Sequence, residues 1–353
     1  MKAIYISEYV ESPSDLRVTS IPGPTPRPDE DDVVTVTVTH SALSHVDLLY
    51  ARGLHQNNHS GLVKPPFVLG LEFAGVVASA RPTSAFKPGD KVWGASVGAF
   101  AEQIAVPASA VRRVPTGWTL ADAAGLGPAT APVSYGALVR VARVTRGQTV
   151  LVHAAAGGLG VYAVQIALAL GAKVVATVGS EEKAEVVRRG YGGSLGAAGA
   201  GAVLGVVRYD VDWWEKEVLK IVPAGVDVVY DTVGLVAKSI RCLKFGGSVV
   251  VAGFAGLNGK METLSMNRVL LKGARLLGYR YGETGRRNPS ETEQVWKGLD
   301  AMLESGRVKP VIYRTYHGLE SVPRALDDLA SRKVWGKAVV EIQPAPPSVG
   351  AKL

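Results

Sequence analysis

One stretch constrains this chain more than any other. The apolar run Val150-Leu151-Val152 passes through His153-Ala154-Ala155-Ala156 into Gly157-Gly158-Leu159-Gly160. Helix-spaced apolar residues follow at Val161, Val164, Ile166, Ala167, Leu168 and Leu170. A buried parallel strand that runs into such a turn needs glycines where side chains would obstruct a ligand, because backbone N–H groups must approach phosphate oxygens closely. The dipole of the following helix favours an anion at the same place. Gly171 ends the helix, and Val174–Val178 reads as the next parallel strand. Strand, glycine turn, helix and strand in this order give a glycine fingerprint its meaning as a dinucleotide pyrophosphate site. Ala155 stands where the first glycine of G-x-G-x-x-G is usual, so on the glycines alone a tight turn without a ligand is the competing reading.

A chain of 353 residues fits two domains, each able to bury its own core. The first reads as β-rich. Val33–Thr39 alternates apolar and hydroxyl residues, as a half-buried strand does, and short strands follow at Phe73–Ala78, Lys91–Trp93 and Gln103–Val106. Turn residues such as Lys87-Pro88-Gly89-Asp90 separate them, which suggests a small barrel. From Thr119, a cap for a helix over Leu120–Ala124, the pattern becomes helical, with a second helix over Ala131–Val144. Strands at Asp227–Asp231 and Ser248–Gly253, with a short helix at Lys238–Leu243 between them, continue a strand–helix alternation. The fold class is α/β: a doubly wound parallel sheet over 131–280 and a β-barrel domain over 1–130. The chain returns to the barrel domain over 281–353, through a helix at Glu291–Ser305 and a strand at Val308–Tyr313. The segment Gly190–Gly201 offers little to pack and reads as a flexible surface loop.

Composition narrows the function classes. The formal charge of +8 is spread along the chain with no basic block, so no nucleic-acid partner is expected. No apolar run reaches the length of a membrane span, and Met1–Tyr5 lacks the apolar core of a secretory signal. A cytoplasmic protein is expected, with peroxisomal delivery through the C-terminal Ala351-Lys352-Leu353 as the alternative. The single cysteine, Cys242, excludes an internal disulfide and a cysteine-rich zinc lobe, and reads as a buried small hydrophobe. His153, inside an apolar strand, reads as a packed histidine.

Between the two nicotinamide dinucleotides such a site could take, the residues past the motif favour NADPH. Selectivity for NAD places an acid at the end of the second strand, about 20 residues past the motif, to bind the ribose hydroxyls. Here that place is Thr177-Val178-Gly179-Ser180, which leaves room for a 2′-phosphate, and Lys183 supplies a positive charge. Glu181 and Glu182 complement the dipole of a helix capped by Ser180.

The order of parts resembles the medium-chain dehydrogenase/reductase superfamily, specifically its zinc-free quinone oxidoreductase branch, the zeta-crystallin-like proteins. The resemblance covers nearly the whole chain. It rests on Ala42-Leu43-Ser44-His45-Val46-Asp47, Arg52-Gly53-Leu54, Pro66–Val77, Pro88-Gly89-Asp90-Lys91-Val92 and Val150–Gly160. It implies a Rossmann domain beside a GroES-like catalytic barrel, with the pyrophosphate on Ala155, Gly157, Gly158, Leu159 and Gly160. The zinc-dependent branch carries Gly-His-Glu where this chain has Gly70-Leu71-Glu72, so no metal is expected. The resemblance further implies a 2′-phosphate pocket of Gly179, Ser180, Lys183, Tyr209 and Arg332. A packed phenol and a solvated charge are the plainer readings of the last two. Gly253 and Phe254 face the nicotinamide, with Thr232, Val233, Gly278 and Tyr279 as neighbours. At the reacting end stand Ser44, where the family often has Asn, with Asp47 and Thr130; simple capping is the alternative for Asp47 and Thr130. The implied activity is NADPH-dependent hydride transfer to a quinone by a homodimer. Reduction of 2-alkenals or other enones is the second reading, and a non-catalytic NADPH-binding or RNA-associated protein the third.

Overall fold

The computed structural model describes residues 1–25, 32–193, 201–256 and 262–346. The C-terminal tripeptide and residues 194–200 of the glycine-rich segment lie outside the described residues. The chain divides into two compact units, Met1–Ala129 with Pro310–Leu353, and Thr130–Lys309. Among the described residues no helix is long and apolar enough to cross a membrane.

The first unit is built on the strand Val33–Ala42, which pairs antiparallel with Glu72–Ala80, Gln103–Pro107 and Lys337–Glu341. Its sheet continues through Lys91–Ala95 to Val111–Arg113 on one side and through Ile312–His317 on the other. Val34, Val36, Val38, Phe73, Val77, Val92, Ile104 and Val106 form its apolar interior. The expected half-buried alternation of Val33–Thr39 is not found, because Thr35 and Thr39 are buried as well. This strand is central, the helix Leu120–Leu126 packs against it, and Thr39 Oγ1 donates to Ala74 O at 3.2 Å. That helix begins as the sequence indicates: the Thr119 hydroxyl accepts from Asp122 N and the Asp122 carboxylate accepts from Thr119 N, a capping box.

The second unit holds a six-stranded parallel sheet in the order Ala202–Arg208, Lys173–Val178, Thr149–Val152, Val226–Asp231, Leu243–Val251, Arg275–Gly278. The first strand in the sequence sits in the middle and the chain winds outward both ways, the doubly wound arrangement. Leu151, Val175, Val229 and Val249 from the strands and Trp214 and Val218 from the helix Trp214–Ile221 pack into one core cluster. The helix Gly158–Ala169 is buried along most of its length, and Gly171, at φ +77, terminates it in the left-handed region. The expected helix over 131–144 is a short α-turn, Ala131–Tyr135, that widens into a π-helix over Gly136–Val141.

Further sequence expectations need correction. The return to the first unit comes at 310, not 281, because the helix Pro289–Glu304 belongs to the second unit. Glu291 takes both Arg140 Nε (2.9 Å) and Arg140 Nη2 (3.0 Å), and the Gln165 amide bonds Lys309 through both its oxygen and its nitrogen. The expected strand at 308–313 accordingly starts later, as Ile312–His317. The glycine-rich segment also packs more than expected: Tyr191 is buried and its hydroxyl donates to Ala155 O at 3.0 Å, so glycines at positive φ turn the chain around an anchored ring.

Candidate functional site

The glycine turn of the second unit is shaped by close backbone approach. Ala154 has φ +48, and Gly157 N donates back to Ala154 O at 2.7 Å. A Cβ on Gly160 would lie 2.0 Å from Ala154 O and 2.8 Å from Ala155 Cα, so only glycine fits there. Gly157 is the helix N-cap, and Val161 N is the first amide to reach back, to Gly157 O. The first-turn amides of Gly158, Leu159 and Gly160 therefore have no intrahelical acceptor and present an anion cradle. Ala155, the remaining cradle residue, is fully buried, with its amide donating to Thr177 O.

The neighbouring strand ends at Val178, and beyond it Gly179 lies against Tyr209, where an added Cβ would meet the ring 3.2 Å away. Ser180 caps the helix Glu181–Arg188, its hydroxyl accepting from Lys183 N at 3.3 Å. Gly179, Ser180, Lys183 and Tyr209 thus lie together just beyond neighbouring strand ends. Glu181 does not intrude as an open charge: it pairs with Arg188 at 2.6 Å and with Arg208 at 3.7 Å. The remaining member of the expected pocket, Arg332, belongs to the first unit. Its backbone is left-handed (φ +59), and its charge, after burial, helps hold His45 below the usual imidazole range.

The residues expected around the nicotinamide meet at the C-terminal edge of the same sheet. Ala252, Ala255 and Gly256 donate to Asp231 O, Thr232 O and Val233 O, which zips Gly253 and Phe254 against Thr232 and Val233. Tyr279 N donates to Val251 O, placing Gly278 and Tyr279 alongside. Phe254 is half-exposed, the space at Gly278 is open, and the buried Tyr279 hydroxyl finds no partner among the described residues. The amides of Val233, Gly234 and Leu235 are already committed: the fully buried Asp231 carboxylate accepts all three, at 2.8, 2.9 and 2.7 Å. The Asp-x-x-Gly spelling after a strand was the available signal for that turn.

His153 lies between hydroxyls, Nδ1 at 2.7 Å from Thr177 Oγ1 and Nε2 at 2.8 Å from Ser239 Oγ, with its ring edge-on to Trp214. Ser239 donates to Leu235 O, so it accepts from Nε2–H and leaves Nδ1 as an acceptor. Burial holds the imidazole below its ordinary pKa, and it serves as a packed crosslink between strands and helix.

In the first unit Ser44 and Asp47 open the helix His45–Ala51 as a capping box. Asp47 Oδ2 accepts from Ser44 N at 2.7 Å, and the Ser44 hydroxyl accepts from Val46 N at 3.2 Å. Asp47 is fully buried, and burial pushes its carboxyl up to about 7. Behind it stands a pair that no local pattern announces, Glu72 with Lys337, 2.5 Å apart and both buried. Thr130 opens the second unit at the N-cap of Ala131–Tyr135; its side chain makes no capping bond, so the capping reading of this residue is set aside. Leu71 precedes Glu72 in the place of the imidazole ligand of the zinc-dependent branch, and among the described residues no cluster of three or more His, Cys, Asp or Glu is arranged to hold a metal ion.

Comparison with known proteins agrees with this architecture. Residues 30–116 match the alcohol dehydrogenase GroES-like domain and residues 158–301 the zinc-binding dehydrogenase domain. Quinone oxidoreductase-like protein 2 of Bos taurus is 31% identical over 329 residues, covering 90% of this chain and 88% of that protein. Quinone oxidoreductase of Thermus thermophilus, solved alone and with NADPH, superposes with a TM-score of 0.78 at 27% identity, covering 97% of this chain and 100% of that one. That of Pseudomonas syringae pv. Tomato superposes with a TM-score of 0.78 at 26% identity, covering 96% and 99%. Two domain matches, a relative at 31% identity along most of both chains, and leucine in place of the zinc-binding histidine lead to one assignment: the chain belongs to the zinc-free quinone oxidoreductase family of the medium-chain dehydrogenase/reductases.

Proposed function

We propose that this oxidoreductase uses NADPH to reduce quinones without a metal. The observation that carries the reading is the pairing, within one sheet edge, of an amide cradle at Gly158–Gly160 with a strand end where Gly179, Ser180, Lys183 and Tyr209 lie together and Glu181 is already paired with Arg188 and Arg208. The cradle suits a pyrophosphate, and the strand end suits the extra phosphate that distinguishes NADPH from NADH. The bound cofactor supplies the hydride. The chain's own residues bind and orient: the first-turn amides take the diphosphate, Lys183 faces the 2′-phosphate, and Gly253 and Phe254 with Thr232 form the floor at the far strand ends. The similarity to quinone oxidoreductases supports a quinone as the acceptor.

Steady-state oxidation of NADPH with 1,4-benzoquinone, 9,10-phenanthrenequinone and a 2-alkenal tests this. Turnover with the quinones is the expected result; turnover with the alkenal alone would replace the substrate class with enones, and none with any acceptor would overturn the reading. Replacing Lys183 by alanine is expected to raise the KM for NADPH about tenfold while leaving that for NADH unchanged, since about 1.4 kcal/mol of charge-assisted contact is lost only with the phosphorylated coenzyme. Equal effects on both coenzymes would remove the assignment of Lys183.

We also propose a homodimer formed on the second unit. Arg275–Gly278 is an edge strand, and Phe245, Met266, Leu270 and Leu271 near it are exposed, Leu270 by 79%. An open strand edge beside an apolar face favours pairing with a second copy about a two-fold axis. Light scattering of the Leu270→Glu, Leu271→Glu variant should show monomers where the unmodified chain shows dimers; an unchanged mass would exclude this face.

A further inference from the structure

The residue that leads into the glycine turn is gripped at both of its backbone ends. Ala155 N donates to Thr177 O at 2.9 Å on the neighbouring strand, and Ala155 O accepts from the Tyr191 hydroxyl at 3.0 Å, 36 residues along the chain. A trans peptide group is planar, with its carbonyl and its N–H pointing in opposite directions. Fixing Ala155 O therefore also fixes the N–H of Ala156, on the side away from Tyr191. Ala156 is 1% exposed, and its amide has no acceptor among the described residues. The amides on either side are committed, Ala155 N to Thr177 O and Gly157 N to Ala154 O. Of three successive donors, the middle one is held in a fixed direction and left open. Buried backbone N–H groups are nearly always paired, with protein, with water or with a ligand.

The grip itself carries strain. Gly190, Tyr191, Gly192 and Gly193 have φ of +63, +54, +72 and +96. Glycine adopts this region freely, whereas for a side chain as large as tyrosine it costs on the order of 1 kcal/mol or more. Gly190 already supplies the left-handed residue that terminates the helix Glu181–Arg188, so the second one is not needed to end it. Tyr191 is the member of this run with a side chain, and it is 3% exposed. The chain thus holds one residue in an unfavourable conformation and thereby brings one phenol to one carbonyl of the glycine motif. Strain that persists at a ligand-binding turn is a sign of pre-organisation.

We propose that Tyr191 is a positioning residue of the anion cradle: by fixing Ala155 O it aims the Ala156 N–H as a further donor to the cofactor's diphosphate, beside the amides of Gly158, Leu159 and Gly160. The proposal rests on the dinucleotide reading above for the identity of the ligand. Donors then flank Gly157 on both sides, one before it and three after, while Gly157 keeps its own amide turned inward on Ala154 O. Tyr191 does not touch the ligand. It acts through a single carbonyl, and all the elements involved lie in the second unit.

Tyr191→Phe keeps the ring and removes the hydroxyl. In calorimetric titrations it should raise the Kd for NADPH about tenfold, the loss of one charge-assisted contact, and leave that for adenosine 2′-monophosphate, which has no diphosphate, within about twofold. At saturating NADPH, kcat should stay within about twofold of the unmodified enzyme, since no reacting atom is involved. Equal weakening toward both ligands would reduce Tyr191 to a brace of the second unit, and an unchanged Kd for NADPH would show that it aims nothing; either result overturns the proposal. A second measurement needs no variant. In spectra of protein carrying nitrogen-15-labelled alanine, the assigned Ala156 amide should move on titration with ADP-ribose, which has the diphosphate but neither the nicotinamide nor the 2′-phosphate, and an amide that stays in place overturns the assignment. The two readings fail separately. An Ala156 amide that answers ADP-ribose in a protein that oxidises no NADPH would sink the oxidoreductase reading and keep this one, and turnover of NADPH with a silent Ala156 amide would do the reverse.

Discussion

Replacement of Gly160 by alanine is expected to weaken NADPH binding at least about 100-fold, a loss of roughly 2.7 kcal/mol. The added methyl group would sit 2.0 Å from Ala154 O and 2.8 Å from Ala155 Cα, and both are backbone atoms that no rotamer change can move aside. Ala154 already occupies the left-handed region, so the turn has little freedom to absorb the displacement. The helix N-terminus must therefore shift, and the amides of Gly158, Leu159 and Gly160 move with it. Gly157→Ala is the matched control. Its Cβ would approach Ala154 O only to 3.2 Å, its φ of −83 suits any residue, and a loss below about tenfold is expected. Calorimetric titration of both variants with NADPH checks the contrast. Equal affinities in the two would show that the diphosphate does not sit on this turn.

Lys337→Met is expected to destabilise the protein by about 3–5 kcal/mol, because it leaves the Glu72 carboxylate wholly buried and without its counter-charge. The double variant Glu72→Gln, Lys337→Met should recover most of that loss. Removal of both charges also removes the desolvation cost of the pair, and glutamine retains an acceptor for Ala129 N. Urea unfolding of the three proteins separates the terms. If the double variant is no more stable than the single one, the loss comes from packing of the lysine stem and not from an orphaned charge.

Much of the second unit was legible in the sequence because its central strands are buried on both faces and read as unbroken runs, Val150–Val152 and Val174–Val178 above all, separated by glycine turns. The candidate cofactor residues could be picked out for the same reason: they stand at strand ends, where the pattern stops. The unread features are those made by tertiary contact. Tyr191 sits in a run of glycines and looks unanchored until its hydroxyl is seen on Ala155 O. Thr39 looks exposed by alternation but lies at the centre of a sheet. Lys337, 265 residues from Glu72, reads as an ordinary charged residue at the start of a strand, and no local spacing tells that strand pairing will bury it beside an acid. The helix Pro289–Glu304 was recognised but given to the wrong unit, since its anchor is a bidentate bond between Arg140 and Glu291 across 151 residues.

The occupied turn after Val226–Asp231 dictates which way round an elongated anion must lie. Of the two turns on adjacent central strands, one offers uncommitted N–H groups, and the other has spent its own on an internal carboxylate. Phosphates laid toward Asp231 would meet negative charge and no donors, so a ligand with a charged half and an uncharged half is admitted in a single polarity, its neutral head directed to the Asp231 side.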